Sequence, residues 1–350
     1  MQDIEIAGRR VGPGHPCFIV AEAGVNHNGD ADVARRLVRA AAQAGADAVK
    51  FQTFKAERLA IEGAPKADYQ LQITDPAESQ LAMLRKLELT TQAYTSLVRA
   101  CEDEKILFLS TPYDIEDVDF IETLGIQAFK VASGQIVEPM FLRHVASKRK
   151  PIILSTGMAT FAEVDEAVRT ICNAGNDKVI LLQCTTNYPS RPEDANLRAM
   201  QTMREALGVQ VGYSDHTQTE TACLVAVALG ACVIEKHFTL DKAMPGPDHS
   251  SSADPAEFGR LVKLIREAEI VLGSSLKQPV DAERRNALGM RRSIVARQLI
   301  PCGGVITEQM LTLKRPGTGI RPSRLPELIG RKAARNIQPD ELVTWDALQP

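Results

Sequence analysis

Two runs, Pro151-Ile152-Ile153-Leu154-Ser155 and Lys178-Val179-Ile180-Leu181-Leu182-Gln183, decide the fold. Their interiors are continuously apolar rather than alternating, as parallel strands are when both faces are buried. Between them Val164, Ala167, Val168 and Ile171 recur at the spacing of one helix face. The segment is therefore one βα repeat, and it recurs in both directions. Similar runs lie at Cys17–Ala23, Ala46–Gln52, Ile106–Ser110, Ala128–Ala132, Val209–Tyr213 and Cys232–His237. That makes eight, spaced by roughly 20–50 residues. After the last strand, Phe258, Leu261, Val262 and Ile265 mark a helix that opens on the capping box Asp254-Pro255-Ala256-Glu257. Eight such units predict an α/β fold of the TIM (β/α)8 barrel type. A doubly wound open sheet is the alternative. It would carry a glycine-rich dinucleotide fingerprint after an early strand, whereas the first strand here runs into Glu22-Ala23-Gly24-Val25-Asn26-His27.

From Gly273 the pattern changes. Gly273-Ser274-Ser275 and Gln278-Pro279 read as linker. Short strands are then expected at Ser293–Ala296, Leu311–Lys314 and Leu342–Trp345. The division is a barrel over 1–275, a linker over 276–288 and a small β-rich domain over 289–350.

Composition narrows the function classes. With 350 residues, 44% hydrophobic and 24% charged, the chain is an ordinary globular one. A net charge of −3 argues against a general nucleic-acid binder. No apolar run is long enough to cross a bilayer, and Met1-Gln2-Asp3-Ile4-Glu5 does not open a signal peptide. Seven cysteines without a Cys-x-x-Cys pair read as the thiols of a cytoplasmic protein.

In a barrel, chemistry gathers where strands end. The residues at the predicted ends are Glu22, Lys50 and Gln52, Ser110 and Thr111, Lys130 and Ser133, Ser155 and Thr156, Thr185, Thr186 and Tyr188, Ser214, Asp215 and His216, and Glu235, Lys236 and His237. Lys50 and Lys130 follow apolar strand residues, so they are expected to point inward. They suit an anion clamp or a Schiff-base amine; the plain alternative is a lysine paired with a carboxylate such as Glu22. Thr111, Ser133, Ser155 and Ser214 beside two lysines make a sensible phosphate cradle. His216 and His237 end adjacent strands and could share a divalent ion; a pair of core histidines is the plain alternative. Asp248, in the stiff loop Met244–His249, could hold sugar hydroxyls. Arg315, in Lys314-Arg315-Pro316-Gly317, is an anion-reaching finger or a solvated loop residue.

The motifs in this order resemble the bacterial sialic-acid synthases, the phosphoenolpyruvate-dependent nonulosonate synthases. Those that carry the resemblance are Ala21–Asp30, Lys50–Glu57, Leu109–Pro112, Ile153–Met158, Gly212–Thr217, Glu235–Thr239, Gly246–His249 and Lys314–Gly317. The C-terminal part resembles the family's antifreeze-like, or SAF, domain. The resemblance implies a metal-dependent condensation of phosphoenolpyruvate with an open-chain N-acetylated mannosamine-type sugar, giving a nine-carbon 2-keto sugar acid and phosphate. A diacetyllegionaminate or pseudaminate synthase using a 2,4-diacetamido-trideoxy hexose is the near alternative. Remote alternatives are a Schiff-base aldolase acting through Lys130 and a non-enzymatic glycan-binding protein.

Carried over by position, Lys50, Thr111, Lys130, Ser133, Ser155, Thr186 and Ser214 would hold phosphoenolpyruvate. Gln52, Tyr188, Asp248 and Arg315 would hold the sugar. His216 and His237 would bind Mn²⁺, or Mg²⁺ or Co²⁺, with Glu22 alongside. Glu22 and Gln135 would take the catalytic positions. The resemblance also implies a domain-swapped homodimer in which Arg315 reaches the partner's barrel. Two residues depart from the pattern. Gln135 stands in Ser133-Gly134-Gln135 where relatives often carry a carboxylate, and a glutamine cannot act as a general base. Asn187 stands where legionaminate-type members tend to have glutamate.

Overall fold

A computed structural model describes residues 2–67, 70–71, 74–75 and 77–350. It divides into two units, Met1–Gly273 and Ser274–Pro350. The first opens on an antiparallel hairpin, β1 (Ile4–Ile6) and β2 (Arg9–Val11), that the sequence reading leaves out. Eight parallel strands follow: β3 (Phe18–Gly24), β4 (Ala48–Thr53), β5 (Leu107–Pro112), β6 (Phe129–Val131), β7 (Ile152–Ser155), β8 (Val179–Cys184), β9 (Gln210–Asp215) and β10 (Val233–His237). They pair in the order β5-β4-β3-β10-β9-β8-β7-β6. The first and last barrel strands are bonded, with Glu22 level with His237. The circle is completed by β5 and β6, which lie side by side without a shared hydrogen-bonded register among the described residues. This is the expected (β/α)8 barrel.

Alternation along each strand sorts the side chains into two cores. Outward residues such as Ile19, Val49, Leu181 and Ile234 pack under the surrounding helices. Inward residues Phe18, Val20, Leu109, Ile153, Leu182 and Val233 fill the lower barrel, and Ile4, Ile6 and Val11 of the hairpin join them. Gly212 faces the same interior. A Cβ there would come within 2.4 Å of the Val233 carbonyl, so only glycine fits. One level higher the inward positions become polar, and the site begins there.

The same alternation corrects the expectation that every polar strand-end residue crowds one mouth. Ser110, Thr156, Asp215 and Lys236 bond elsewhere. Ser110 Oγ lies 2.6 Å from Thr53 Oγ1, and Thr156 Oγ1 donates to the Leu182 carbonyl. Lys236 Nζ is 2.5 Å from Asp215 Oδ2 and donates to the Thr217 carbonyl at 2.7 Å. Tyr213 OH donates to Asp215 Oδ1 at 3.0 Å, and Cys223 of the helix Thr221–Ala228 lies against Oδ2. The ion pair is buried and ties β9 to β10.

The second unit contains β11 (Ser293–Ala296) and β12 (Leu311–Lys314), paired antiparallel. Its core is Ile294, Ile300, Ile306, Leu328, Ile337 and Val343. The strand expected at Leu342–Trp345 is instead an isolated bridge, Val295 to Leu342, running into a 3-10 turn at Trp345–Ala347. Within the expected linker, Asp281–Met290 is helical. Its start is fixed by Glu283 Oε2, which accepts from the Val280 N–H at 2.9 Å. The Gly and Pro signals that suggested a linker end at Pro279, before this helix begins. Five of the seven cysteines are buried. Among the described residues no helix is long and apolar enough to cross a membrane.

Replacing Lys236 by Met is expected to cost about 3–5 kcal/mol, because it leaves the buried Asp215 carboxylate without its cation. Guanidinium unfolding reads this directly, and an unchanged midpoint would remove the pair's structural role.

Candidate active site

The polar part of the barrel interior is built from inward strand positions two residues apart: Glu22, Lys50 and Gln52, Thr111, Lys130, Ser155, Cys184, Ser214, Glu235 and His237, with His216 just past the end of β9. All line one cavity of about 480 Å³. Lys50 and Lys130 are 4% and 3% exposed, so both ammonium groups depend on protein partners. Lys50 Nζ sits 2.7 Å from Glu22 Oε2 and 3.1 Å from Thr111 Oγ1. Lys130 Nζ donates to Ser155 Oγ at 2.6 Å. Between the lysines lies Glu235, 3.7 Å from Lys50 and 3.6 Å from Lys130. Its Oε1 accepts from Ser214 Oγ at 2.9 Å.

The charges tune one another. Burial works against the Lys50 cation, but Glu22 and Glu235 outweigh it and hold the lysine above its ordinary range. Burial, with Lys50 adding to it, depresses Lys130. Burial and the Glu235 charge raise Glu22. Burial opposes ionisation of Glu235 too, but Lys130 and Lys50 overcome it and keep that carboxyl below its usual value.

On the rim, the His216 and His237 rings have centroids 5.2 Å apart. Tyr188 lies 4.2 Å from the first and 5.4 Å from the second. His216 Nδ1 bonds to the Thr185 carbonyl at 2.6 Å. That contact commits Nδ1 as the donor, so Nε2 is the nitrogen that a metal would take in place of a proton. His237 Nδ1 is buried with no hydrogen-bond partner, and Asp248 Oδ2 stands 3.8 Å away. Burial, reinforced by the charges of His216 and Lys50, pushes His237 well below its ordinary value, so it is the neutral imidazole that ligates metals. Burial and the Glu22 charge raise Asp248 to about 7. No three His, Cys, Asp or Glu side chains among the described residues form a metal-sized cluster. What the rim does offer a divalent ion is two adjacent imidazoles, one of them with an unpartnered nitrogen among the described residues.

Gln52 Nε2 contacts Glu22 Oε1 at 3.3 Å, and Tyr113 OH donates to Gln52 Oε1 at 3.3 Å. Ser133 Oγ accepts from the Gly157 N–H at 2.9 Å. A Cβ at Gly157 would fall 2.2 Å from Thr186 Oγ1, so this glycine lets the two hydroxyl-bearing loops meet. Gln135 lies in the cavity wall with neither end of its amide bonded among the described residues. Arg315 is carried by the second unit, where its Nε donates to the Met290 carbonyl at 3.0 Å.

Sequence reasoning named fourteen of its fifteen candidates on the barrel, and all fourteen line this one cavity. It missed two residues. Glu235 passed as a strand end, although its spacing of two from His237 puts both on one face. Asn26, in the quoted Ala21–Asp30 motif, received no role. Its amide donates to the Phe238 carbonyl and to Ser252 Oγ, both at 2.9 Å. Ser252 Oγ in turn donates to the Asp248 carbonyl at 2.6 Å. One buried amide thus fixes the segment after His237 and the loop carrying Asp248.

The fold and the site define a TIM-barrel enzyme whose mouth is built for a small anion beside a polar, multiply hydrogen-bonding ligand. The NeuB family model matches residues 37–277 and the SAF domain model residues 291–349. The N,N'-diacetyllegionaminic acid synthase of Campylobacter jejuni is 46% identical over 328 residues, covering 93% of this chain and 98% of its own. The enzyme of the same name from Legionella pneumophila is 44% identical, covering 95% of each chain. Among solved structures, the N-acetylneuraminic acid synthetase of Leptospira borgpetersenii, in complex with citrate, superposes with a TM-score of 0.74 at 32% identity, over 81% of this chain and 95% of its own. The chain belongs to the NeuB family, with a C-terminal SAF domain. It is a synthase of the phosphoenolpyruvate-condensing transferase class.

Replacing Asn26 by Ala is expected to cost about 1–3 kcal/mol, since it leaves buried acceptors unpaired. Ser252→Ala, which cuts one of the two bonds, should cost less. Denaturation midpoints of the two variants test that order.

Proposed function

We propose that the chain condenses phosphoenolpyruvate with the open-chain form of 2,4-diacetamido-2,4,6-trideoxymannose, making N,N'-diacetyllegionaminic acid and phosphate. The observation that carries the chemistry is the pair of buried lysines, ringed by hydroxyls, in the same cavity as two adjacent imidazoles. The choice of sugar is supported by the two legionaminic acid synthases at 46% and 44% identity. N-Acetylmannosamine, the substrate of an N-acetylneuraminate synthase, is the second reading, supported by the structural neighbour at 32%.

In this reading Lys50 and Lys130, with Thr111, Ser133, Ser155, Thr186 and Ser214, bind the phosphate and carboxylate of phosphoenolpyruvate. Gln52, Tyr188 and Asp248 orient the sugar, and Arg315 of a second copy completes its site. C3 of phosphoenolpyruvate attacks the aldehyde carbon, whose oxygen takes up a proton. Water adds at C2 and loses a proton, and phosphate then leaves with C–O cleavage. Glu22 is the carboxyl placed to carry a proton in these steps. Gln135 hydrogen-bonds without titrating. His216 and His237 hold a divalent ion, Mn²⁺ first and Mg²⁺ or Co²⁺ next, which when bound supplies Lewis acidity at the aldehyde oxygen. Catalysis rests on positioning rather than on a covalent nucleophile.

The test is phosphate release from phosphoenolpyruvate with Mn²⁺ and each sugar in turn. Turnover with the trideoxy sugar, abolished by a chelator and restored by Mn²⁺, is the expected result. Turnover with N-acetylmannosamine alone would replace the sugar assignment. His237→Ala should lower kcat/KM by roughly 100-fold or more, the loss of several kcal/mol of charge stabilisation, and undiminished activity would overturn the metal assignment. Mixing inactive Arg315→Ala and His237→Ala chains should restore part of the activity if subunits share sites, and no recovery would count against that sharing.

A further inference from the structure

One carboxyl group of the cavity is uncommitted. Among the described residues four line it: Glu22, Glu138, Glu235 and Asp248. Glu22 and Glu235 are held by the lysines, and Asp248 faces His237. Glu138 has no side-chain hydrogen bond or ion pair among the described residues. Its place in the chain makes that telling. Glu138 is the N-cap of the helix Pro139–Ser147, where a side-chain oxygen ordinarily accepts from the N–H groups of the first turn. It accepts from none of them. The carboxyl lines the mouth of the cavity instead.

Gln135 lies one tight turn back. The Glu138 N–H donates to the Gln135 carbonyl at 3.0 Å, and both side chains line the same cavity. They differ in their access to water. Gln135 is 4% exposed, whereas Glu138 is exposed. A carboxylate at 135 would join the buried Glu22, Glu235 and Asp248. Lys50 and Lys130 are the only lysine or arginine cations that line the cavity among the described residues. A further buried acid would therefore be ionised without a cation of its own, at a large desolvation cost. The Gln135 amide avoids that cost. Three residues on, water supports the ionised form. The loop after β6 thus still carries a carboxylate, at a position where a charge is tolerated.

We propose that Glu138 is a substrate-contacting residue whose carboxylate accepts hydrogen bonds from the hydroxyl and acylamido N–H groups of the sugar, in place of a carboxylate at position 135. The inference rests on the synthase reading above and adds a residue to it. An ionised carboxyl is an acceptor only, so it suits the donors of a neutral sugar and repels the carboxylate and phosphate of phosphoenolpyruvate. The Gln135 amide, unbonded at both ends among the described residues, offers the same ligand a donor and an acceptor beside it.

The test measures kcat/KM for the sugar at saturating phosphoenolpyruvate in the natural chain, Glu138→Gln, Gln135→Glu and the double variant. Glu138→Gln should lower it about 10- to 100-fold, the worth of a hydrogen bond to a charged acceptor, while the KM for phosphoenolpyruvate stays put. Gln135→Glu with Glu138→Gln returns a carboxylate to 135 and should regain part of that loss. Undiminished kcat/KM in Glu138→Gln would overturn the role, and a lowered denaturation midpoint alongside it would assign the carboxylate to the helix dipole. A loss that falls equally on the KM for phosphoenolpyruvate would also overturn it. A double variant no better than Glu138→Gln would overturn the exchange between the two positions. The synthase reading stands through all three results. Absence of phosphate release by the natural chain with either sugar would remove that reading and this role together.

Discussion

Glu235 between Lys50 and Lys130 is the interaction on which the site depends. Two ammonium groups cannot stay charged in a nearly dry barrel unless carboxylates neutralise them, and the four side chains Glu22, Lys50, Glu235 and Lys130 do this for one another. They can meet only because inward positions recur every second residue on strands whose register is fixed. Glu22 is level with His237 on one side and with Lys50 on the other, and Ser214 is level with Glu235. The packing below serves the same end. The hairpin residues Ile4, Ile6 and Val11 fill the barrel's lower interior, so the polar level opens in one direction only.

The site also shows how a barrel divides labour between strands and loops. The lysines and hydroxyls proposed for the anion stand on the strands β4, β5, β6, β7 and β9. Tyr188 and Asp248, proposed for the sugar, stand on loops and need cross-links of their own. Asn26 provides one, reaching both the Phe238 carbonyl and Ser252. Asn26 and Gly29 belong to one short loop after β3, which therefore braces the Asp248 loop and seats the end of the helix Gln80–Lys86.

Much of this was legible in the sequence. The continuous apolar runs mark all eight barrel strands, and the lysines inside two of those runs stand out because a charge after Ala48-Val49 or Ala128-Phe129 is costly unless used. What the sequence hid follows from parity. Asp215 and Lys236 look like site residues beside His216 and His237, but they alternate with the inward positions and pair with each other away from the cavity. Glu235 looks ordinary and is one of the inward positions. A shift of one residue along a strand reverses the face, and only strand boundaries known to that accuracy could have separated them. The strand expected at Leu342–Trp345 fails because its neighbour offers a single bridging position, enough for Val295 and too little for a ladder.

The unbonded junction between β5 and β6 has a consequence for how ligand and protein share stability. Thr111 and its partner Lys50 stand on one side of that seam, and Lys130 with Ser155 on the other. On the proposed reading, an anion gripped by both lysines would span the gap and clasp the barrel's circumference. Anything that binds only the closed ring stabilises it by mass action, in proportion to the logarithm of its concentration over its dissociation constant. On that reading the small acid is a structural member of the ring as well as a reactant.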